Sequence, residues 1–376
     1  MEYTFKKLPD ICRISTGKHD ANHATSNGMY RFYTCANQYC YCNTKSFSGE
    51  AVIVPGNGDI GLVFYYNGDF DAYQRTYVLT DISIYAKYLY YHMLYKWRHV
   101  NSGKQFGSTV KYVRMGNFSS YELPVPPVPE QERIVAKIEE LFSQLDVAVA
   151  ELKSIKEKLA IYRHAVMQNV IVQYTQDVPN VFIKDVCNEI KVGIVIKPSQ
   201  YYTTLESGIK AFRSANVREF YIDDKDWVFL SKDGHLKNKR SEVHIGDVLI
   251  VRSGYPGTAC VVTEKFDGSN AIDVLIAVPN REKIASEYLC AYTNSPLGKK
   301  LVADKKRGVA QAHLNVGGYS KISIPIPEIL VQNIIVEEIH QKVSICNNIE
   351  QTVDTALQQA AALRQSILKQ AFEGNL

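Results

Sequence analysis

From Ile134 onward, apolar residues recur at steps of four and three: Ile134, Ile138, Leu141, Leu145, Ala148, Leu152, Ile155, Leu159, Tyr162 and Val166. This spacing predicts one long helix, from about Glu130 to Ile171, carrying an a/d seam for a partner helix. The same pattern returns 201 positions later, at Ile335, Ile339, Lys342, Cys346, Ile349, Val353, Ala356, Ala360, Leu363 and Ile367. Only Lys342 interrupts it, and its aliphatic stem can lie along an apolar groove. Prolines sit just ahead of both runs. Pro124 and Pro126 precede Gln131, as Pro325 and Pro327 precede Gln332. Proline is excluded from a helix interior, so these residues fix where each helix starts. Gly374 and Asn375 stop the second one. Two such helices in one chain are expected to pair with each other, antiparallel.

The segments ahead of the helices also repeat. "GEAVIV" from Gly49 matches "GDVLIV" from Gly246, "FDAYQ" from Phe70 matches "FDGSN" from Phe266, and "YLYYHML" from Tyr88 matches "YLCAYTN" from Tyr288. "GSTVKYVRMGNF" from Gly107 parallels "GVAQAHLNVGGY" from Gly308. Short β-branched and aromatic runs cut by Gly, Asn and Asp predict strands and turns. One helix, about 83–96 and again about 284–301, is expected inside each set. The predicted fold is therefore α+β, an internal pseudo-two-fold repeat. It consists of a mixed sheet-and-helix domain (1–124), a long coiled-coil helix (125–175), a second domain (176–324) and a second helix (325–376).

Composition narrows the class. The chain has 376 residues, 46% hydrophobic and 22% charged, as expected of a soluble protein with more than one core. No 18-residue apolar run suggests a membrane span, and Met1–Lys7 lacks the apolar stretch of a signal peptide, so a cytoplasmic location is expected. Net charge is +4 in residues 1–124, −1 in 125–175, +4 in 176–324 and −3 in 325–376. Mildly basic domains on acidic helices fit domains that face a polyanion and helices that face protein. The eight cysteines form no CxxC pair and read as free thiols.

Catalytic motifs are not apparent. The Pro126-Pro127 pair has no aromatic after it, as a methyltransferase motif would require, and there is no GxxxxGK[ST] phosphate loop. Asp185 with Glu189-Ile190-Lys191 mimics a nuclease triad, but such tripeptides are frequent. The nine histidines show no metal spacing. No cofactor, metal site or catalytic residue is expected.

The proline–glutamine junctions (Pro124, Pro126, Gln131 with Arg133-Ile134-Val135; Pro325, Pro327, Gln332), "LRQSILKQAFEGNL" from Leu363 and "GVAQAHLNV" from Gly308 resemble the DNA-specificity (S) subunits of type I restriction–modification systems. The second junction, "PEILVQNI", departs from the usual form. The resemblance implies two target-recognition domains that read the halves of a bipartite double-stranded DNA site. It further implies proximal and distal helical regions, methyltransferase (M) subunits, two per S subunit, and restriction (R) subunits joined through the complex. The chain itself would be non-catalytic. An S-like subunit of a type IIB system and a protein-binding coiled-coil scaffold are the alternatives. Base edges and phosphates are read by basic and amide side chains on loops. In the first domain the candidates are Asn57, Gln74, Arg75, Lys104, Gln105, Lys111 and Arg114. In the second they are Arg213, Ser214, Lys237, Lys239, Arg240, Arg252, Ser253, Lys305, Lys306, Arg307 and Gln311. Tyr30 and Tyr41 are candidates for stacking on sugar or base.

Overall fold

The elements of the first domain run β1 (Thr4–Lys7), α1 (Leu8–Ile11), β2 (Arg13–Thr16), β3 (Tyr30–Tyr33), β4 (Cys40–Cys42), β5 (Glu50–Pro55), β6 (Phe64–Asn67), β7 (Phe70–Ala72), β8 (Thr76–Thr80), α2 (Ala86–Asn101), α3 (Met115–Ser119) and β9 (Glu122–Val125). The long helix α4 (Val128–Thr175) follows. The second domain runs β10 (Asn180–Phe182), α5 (Ile183–Val186), β11 (Cys187–Val192), β12 (Tyr202–Thr203), β13 (Ile209–Phe212), β14 (Val228–Leu230), α6 (Lys232–Lys237), β15 (Val248–Val251), β16 (Ala259–Val261), β17 (Asn270–Ala271), β18 (Val274–Pro279), α7 (Ser286–Asn294), α8 (Pro296–Asp304), α9 (Val316–Ser320) and β19 (Ser323–Pro325). Helix α10 (Ile329–Phe372) ends the fold. This is a computed structural model that describes residues 3–107, 109–204, 207–305 and 313–374.

The two domains share one plan. A four-stranded sheet has the order β2-β8-β5-β6 in the first and β11-β18-β15-β16 in the second. A smaller sheet is β4-β3-β7 in one and β12-β14-β13-β17 in the other, and the β3–β7 and β13–β17 pairs are both parallel. Strand β1 pairs with β9, and β10 with β19, so the ends of each domain close on each other. Gly49 and Gly246 open β5 and β15 with φ of 84° and 85°, a left-handed conformation that favours glycine.

Two expectations about the repeat are corrected. First, the "FDAYQ" and "FDGSN" segments do not correspond. Tyr73 N–H donates to the Tyr33 carbonyl at 2.9 Å, and Ile272 N–H to the Phe212 carbonyl at 2.7 Å. A Cβ on Gly17 or Gly193 would strike the carbonyl of Ala72 or Ala271. These contacts align Ala72 with Ala271 and the buried Asp71 with the buried Asn270. Phe266 lies instead in a 3-10 turn (Glu264–Phe266) and fills the core beneath it. Second, the single helix expected over about 284–301 is two helices. Pro296 cannot continue α7, and the Ser295 hydroxyl caps α8 by accepting from Gly298 N–H at 3.1 Å.

The junctions explain why the chain states its proline–glutamine motif twice. Gln131 and Gln332 are buried, and each ties the start of its long helix to the first turn of a domain helix. Tyr88 and Tyr288, from those same domain helices, donate to the carbonyls of Pro124 and Pro325 at 2.9 and 2.8 Å.

By contacts the chain divides into one unit of Met1–Lys153 with Asp354–Leu376 and another of Ser154–Val353. In the first, Ile134, Ile138 and Phe142 of α4 and Ile367, Leu368 and Ala371 of α10 share a core with Leu8, Tyr88 and Trp97. Arg364 pairs with Asp146 and lies 4.6 Å from the Phe142 ring centre. In the second, Val166, Met167, Val170 and Ile171 pack with Ile335, Val336 and Ile339. Tyr174 donates to Glu338 at 3.1 Å, and Arg163 to Glu350 at 2.9 Å. Numbers rise along one helix as they fall along the other, so the helices of this unit are antiparallel.

The seam differs from its expected register at alternate positions. Leu145, Leu152, Leu159 and Val166 turn inward as expected, but Val149, Lys156 and Arg163 stand between them in place of Ala148, Ile155 and Tyr162. Helix α10 shifts in the same sense: Glu350 and Arg364 turn inward while Ile349 and Leu363 are exposed. Ion pairs accompany the shift at three of these places: Arg163 and Lys156 reach Glu350, and Arg364 reaches Asp146. No helix among the described residues is long and apolar enough to cross a membrane.

Candidate nucleic-acid interface

Three segments of the first domain meet around a cleft of about 570 Å³ lined by Gly56, Asn57, Gln74, Arg75, Tyr77, Tyr112 and Arg114. Backbone bonds stitch them together: Gly56 N–H to the Arg75 carbonyl at 2.9 Å, Val113 N–H to the Gly56 carbonyl at 2.8 Å, and Gly58 N–H to the Lys111 carbonyl at 3.0 Å. Glycine is required at 56, since a Cβ there would lie 2.2 Å from the Arg75 carbonyl oxygen. Arg114 lies 4.1 Å from the Phe106 ring centre and donates to the Tyr112 hydroxyl at 2.9 Å. These contacts fix the direction of its guanidinium. Gln74 makes a long bond to Asp20, 3.4 Å. Arg75 and Arg114 are exposed, and among the described residues neither has a carboxylate partner.

The first-domain candidates therefore come together. Asn57, Gln74, Arg75 and Arg114 line the cleft. Lys111 is exposed on the same loop as Arg114, and Lys104 and Gln105 lead into it, held where the Lys104 carbonyl accepts from Asn117 at 3.2 Å.

The second-domain candidates separate into groups. Ser214 and Ser253 line a concavity of about 460 Å³ with Arg218, Tyr255 and Lys299. Arg252 turns inward, bonded to Asp273 at 2.6 Å and to the Leu314 carbonyl at 3.0 Å, a structural arrangement. Arg213 donates to the Asp226 carbonyl. Lys237, Lys239 and Arg240 are exposed and paired with Asp233, Glu242 and Glu189. Lys305 is exposed at the end of α8. Lys306, Arg307 and Gln311 lie outside the described residues.

Two further cations were not singled out by the sequence. Arg31 on β3 lies between the rings of Tyr39 and Tyr66, 4.3 and 4.4 Å from their centres. Lys210 on β13 lies 4.8 Å from the Trp227 ring centre and 5.1 Å from that of Phe266. The register that aligns Tyr33 with Phe212 makes these two residues counterparts. Their surroundings differ. Lys210 pairs with Asp224 at 2.8 Å, and bonds from Lys210, Lys265 and Trp227 hold the Asp224 carboxyl well below its ordinary range. The sequence signal was a cation inside a short strand with an aromatic residue two positions on, Tyr33 or Phe212, which reads as sheet packing.

One group of metal-capable side chains, His19, His23 and Asp71, comes together among the described residues, contrary to the spacing argument. It does not suit a metal ion. The two imidazoles are stacked at 3.8 Å with an 8° interplanar angle, so their in-plane lone pairs run side by side and do not converge. Asp71 Oδ2 already accepts from Thr44 at 2.7 Å and Ser46 at 3.2 Å and lies 3.2 Å from His19. This is a satisfied buried carboxylate.

On the long helices, Ile155, Ile161, Tyr162, Ile345 and Ile349 are exposed in the second unit, and Val147 and Leu363 in the first. Scattered exposed apolar residues need no explanation, but runs of them on one helix mark a surface suited to another protein.

Residues 1–157 and 176–359 match the family described as "Type I restriction modification DNA specificity domain". The chain is similar to the type I restriction enzyme EcoDI specificity subunit of Escherichia coli, 25% identical over 98% of this chain and 88% of that subunit. Its fold is similar to a chain solved in work on complex assembly and conformational transition of the type I R-M system (TM-score 0.77, 16% identity, covering 100% of this chain and 98% of that one). It is also similar to the HsdS subunit from Thermoanaerobacter tengcongensis (TM-score 0.55, 16% identity, 100% and 97%).

Proposed function

The chain belongs to the type I restriction–modification DNA specificity family, as a specificity subunit, and we propose that its two domains each read one half of a bipartite double-stranded DNA target. The observation that carries this reading is the first-domain cleft, where two arginines without carboxylate partners among the described residues, an asparagine and a glutamine converge on one concavity. Arginine and the two amides are the side chains whose donor patterns match guanine and adenine edges. In the second domain, Ser214 and Ser253 line a concavity with Arg218 and Lys299, which are paired with Asp223 and Glu219.

The chain contributes no catalytic group in this reading. Methylation and cleavage belong to methyltransferase and restriction subunits, with two methyltransferase subunits per specificity subunit, all within the cytoplasm. The exposed apolar residues of α4 and α10 support docking of the methyltransferase subunits on the helices.

The test is methylation mapping in a genome that carries this subunit with its methyltransferase partner. A two-part motif is expected. Arg75→Ala or Arg114→Ala should relax or abolish one half and leave the other unchanged. A continuous motif, or loss of both halves together, would overturn the assignment.

A further inference from the structure

We propose that Arg31 is a fixed binding point for a backbone phosphate of the DNA, present in the first domain and absent from the second; this rests on the DNA-reading function above. Strand β3 sets the position of Arg31, pairing it with Tyr41 on one side and Phe70 on the other. Tyr39 and Tyr66 hold the guanidinium between their rings, and Tyr33 accepts from it at 3.4 Å. The platform is rooted in the core: Tyr33 is buried and meets Phe70 edge-on at 5.7 Å, as does Tyr66. These contacts restrain the guanidinium, and most of its five N–H groups are left for another partner.

Among the described residues no carboxylate pairs with it. The groups that bear on its charge are the phenols of Tyr33, Tyr39 and Tyr66, and the bond to Tyr33 makes the guanidinium still harder to deprotonate. The nearby acids are engaged elsewhere, Asp69 with Lys45 at 2.6 Å and Asp71 with Thr44, Ser46 and His19. A preorganised planar cation without a counter-anion suits a phosphate, whose oxygens match the fork of donors.

The second domain supplies the comparison. At the same strand position Lys210 also rests on two aromatic rings, but Asp224 neutralises it. Asp224 also takes Lys265 at 2.5 Å and the Trp227 indole N–H at 2.6 Å. There the fold provides its own anion. At Arg31 the anion must come from outside.

The experiment measures affinity against salt for the subunit assembled with its methyltransferase partner, on a duplex carrying the mapped motif and on one without it. Arg31→Met fills the same space between the rings without charge. Its log K against log salt slope should be smaller than wild type by about 0.9 on both duplexes. Wild type should thus lose about 3.5-fold more affinity than the variant between about 50 and 200 mM salt. The methylated motif should not change. Lys210→Met should keep the wild-type slope, and Arg31→Lys should keep it too, because it keeps the charge. A wild-type slope in a folded Arg31→Met complex overturns the proposal. So does a relaxed base preference with the slope intact, which would make Arg31 a base reader. A reduced slope in Arg31→Lys, or an equal reduction in Lys210→Met, also overturns it. If the wild-type complex reads a two-part motif while Arg31→Met is unaffected, this proposal alone falls; if wild type shows no such motif, the DNA-reading function falls first.

Discussion

Gln131 and Gln332 make the same two bonds. The Oε1 of Gln131 accepts from Tyr85 N–H at 2.9 Å and its Nε2 donates to the Pro126 carbonyl at 2.7 Å; Gln332 does so with Ala285 N–H at 2.8 Å and the Pro327 carbonyl at 2.7 Å. Tyr85 and Ala285 each stand just before a domain helix, α2 or α7, whose first N–H groups have no partner within the helix. Each glutamine thus joins two helix beginnings and a proline turn at one buried point.

Replacing Gln131 by leucine leaves a half-buried N–H and a buried carbonyl without this partner, and replacing Gln332 also removes its bond to the Lys283 carbonyl. Gln131→Leu should cost about 3 kcal/mol, since each orphaned group costs roughly 1–3 kcal/mol. Denaturant unfolding measures this. A loss under about 0.5 kcal/mol would show that water replaces the side chain and the junction is not the anchor.

The displaced seam separates two neighbours on α4. Leu159 is buried and Tyr162 is 57% exposed. Leu159→Asp should destabilise the second unit by roughly 3–5 kcal/mol, the cost of an unpaired buried charge. Tyr162→Asp should change stability by no more than about 0.5 kcal/mol, yet weaken co-purification with the methyltransferase subunit. Equal destabilisation by both would restore the register first expected.

His92 gives the first domain an acid sensitivity. Burial pushes its pKa down to about 3 from 6.5, and its Nδ1 lies 2.9 Å from the Tyr121 hydroxyl. The folded state keeps it neutral while the unfolded state takes up a proton below 6.5, so its stabilisation is complete above that pH and falls as pH drops toward 3. At about pH 5 the loss is about 2 kcal/mol. His92→Gln should flatten the melting-temperature profile of wild type between pH 7 and 5 by that amount. Parallel profiles would mean that the imidazole reaches water.

Arg252 is expected to stabilise the fold without reading DNA. Arg252→Ala removes the bonds to Asp273 and the Leu314 carbonyl and should cost about 1–3 kcal/mol. The methylation motif of the folded variant should equal that of wild type. A changed base in either half would return Arg252 to the interface.

Features set by local chemistry were legible in the sequence. Prolines mark the helix starts, Gly246 marks the opening of β15, and Tyr88 and Tyr288 occupy matched places. Features decided by partners far along the chain were not. Whether Tyr162 or Arg163 faces inward depends on Glu350, which no local periodicity reveals. The mismatch of Phe70 with Phe266 arose because a strand residue and a turn residue carry the same apolar side chain, and only the pairing with β3 or β13 tells them apart. The cleft drew on residues near 57, 75 and 114, and their nature was readable where their convergence was not. Arg31 and Lys210 look alike in sequence, and it is Asp224 that makes them different.

The core of the first domain contains Ile367, Leu368 and Ala371, from the last turns of α10. On the ribosome this has a consequence for timing. The first domain is made first, but the residues that complete its interior arrive only after the whole second domain has been synthesised. The second unit is one continuous stretch and can close as soon as it emerges. Until α10 is released, the groove beside Tyr88 and His92 that Phe372 fills stays open to water. A released chain truncated before residue 367 should therefore be cut by protease in its first unit and protected in its second.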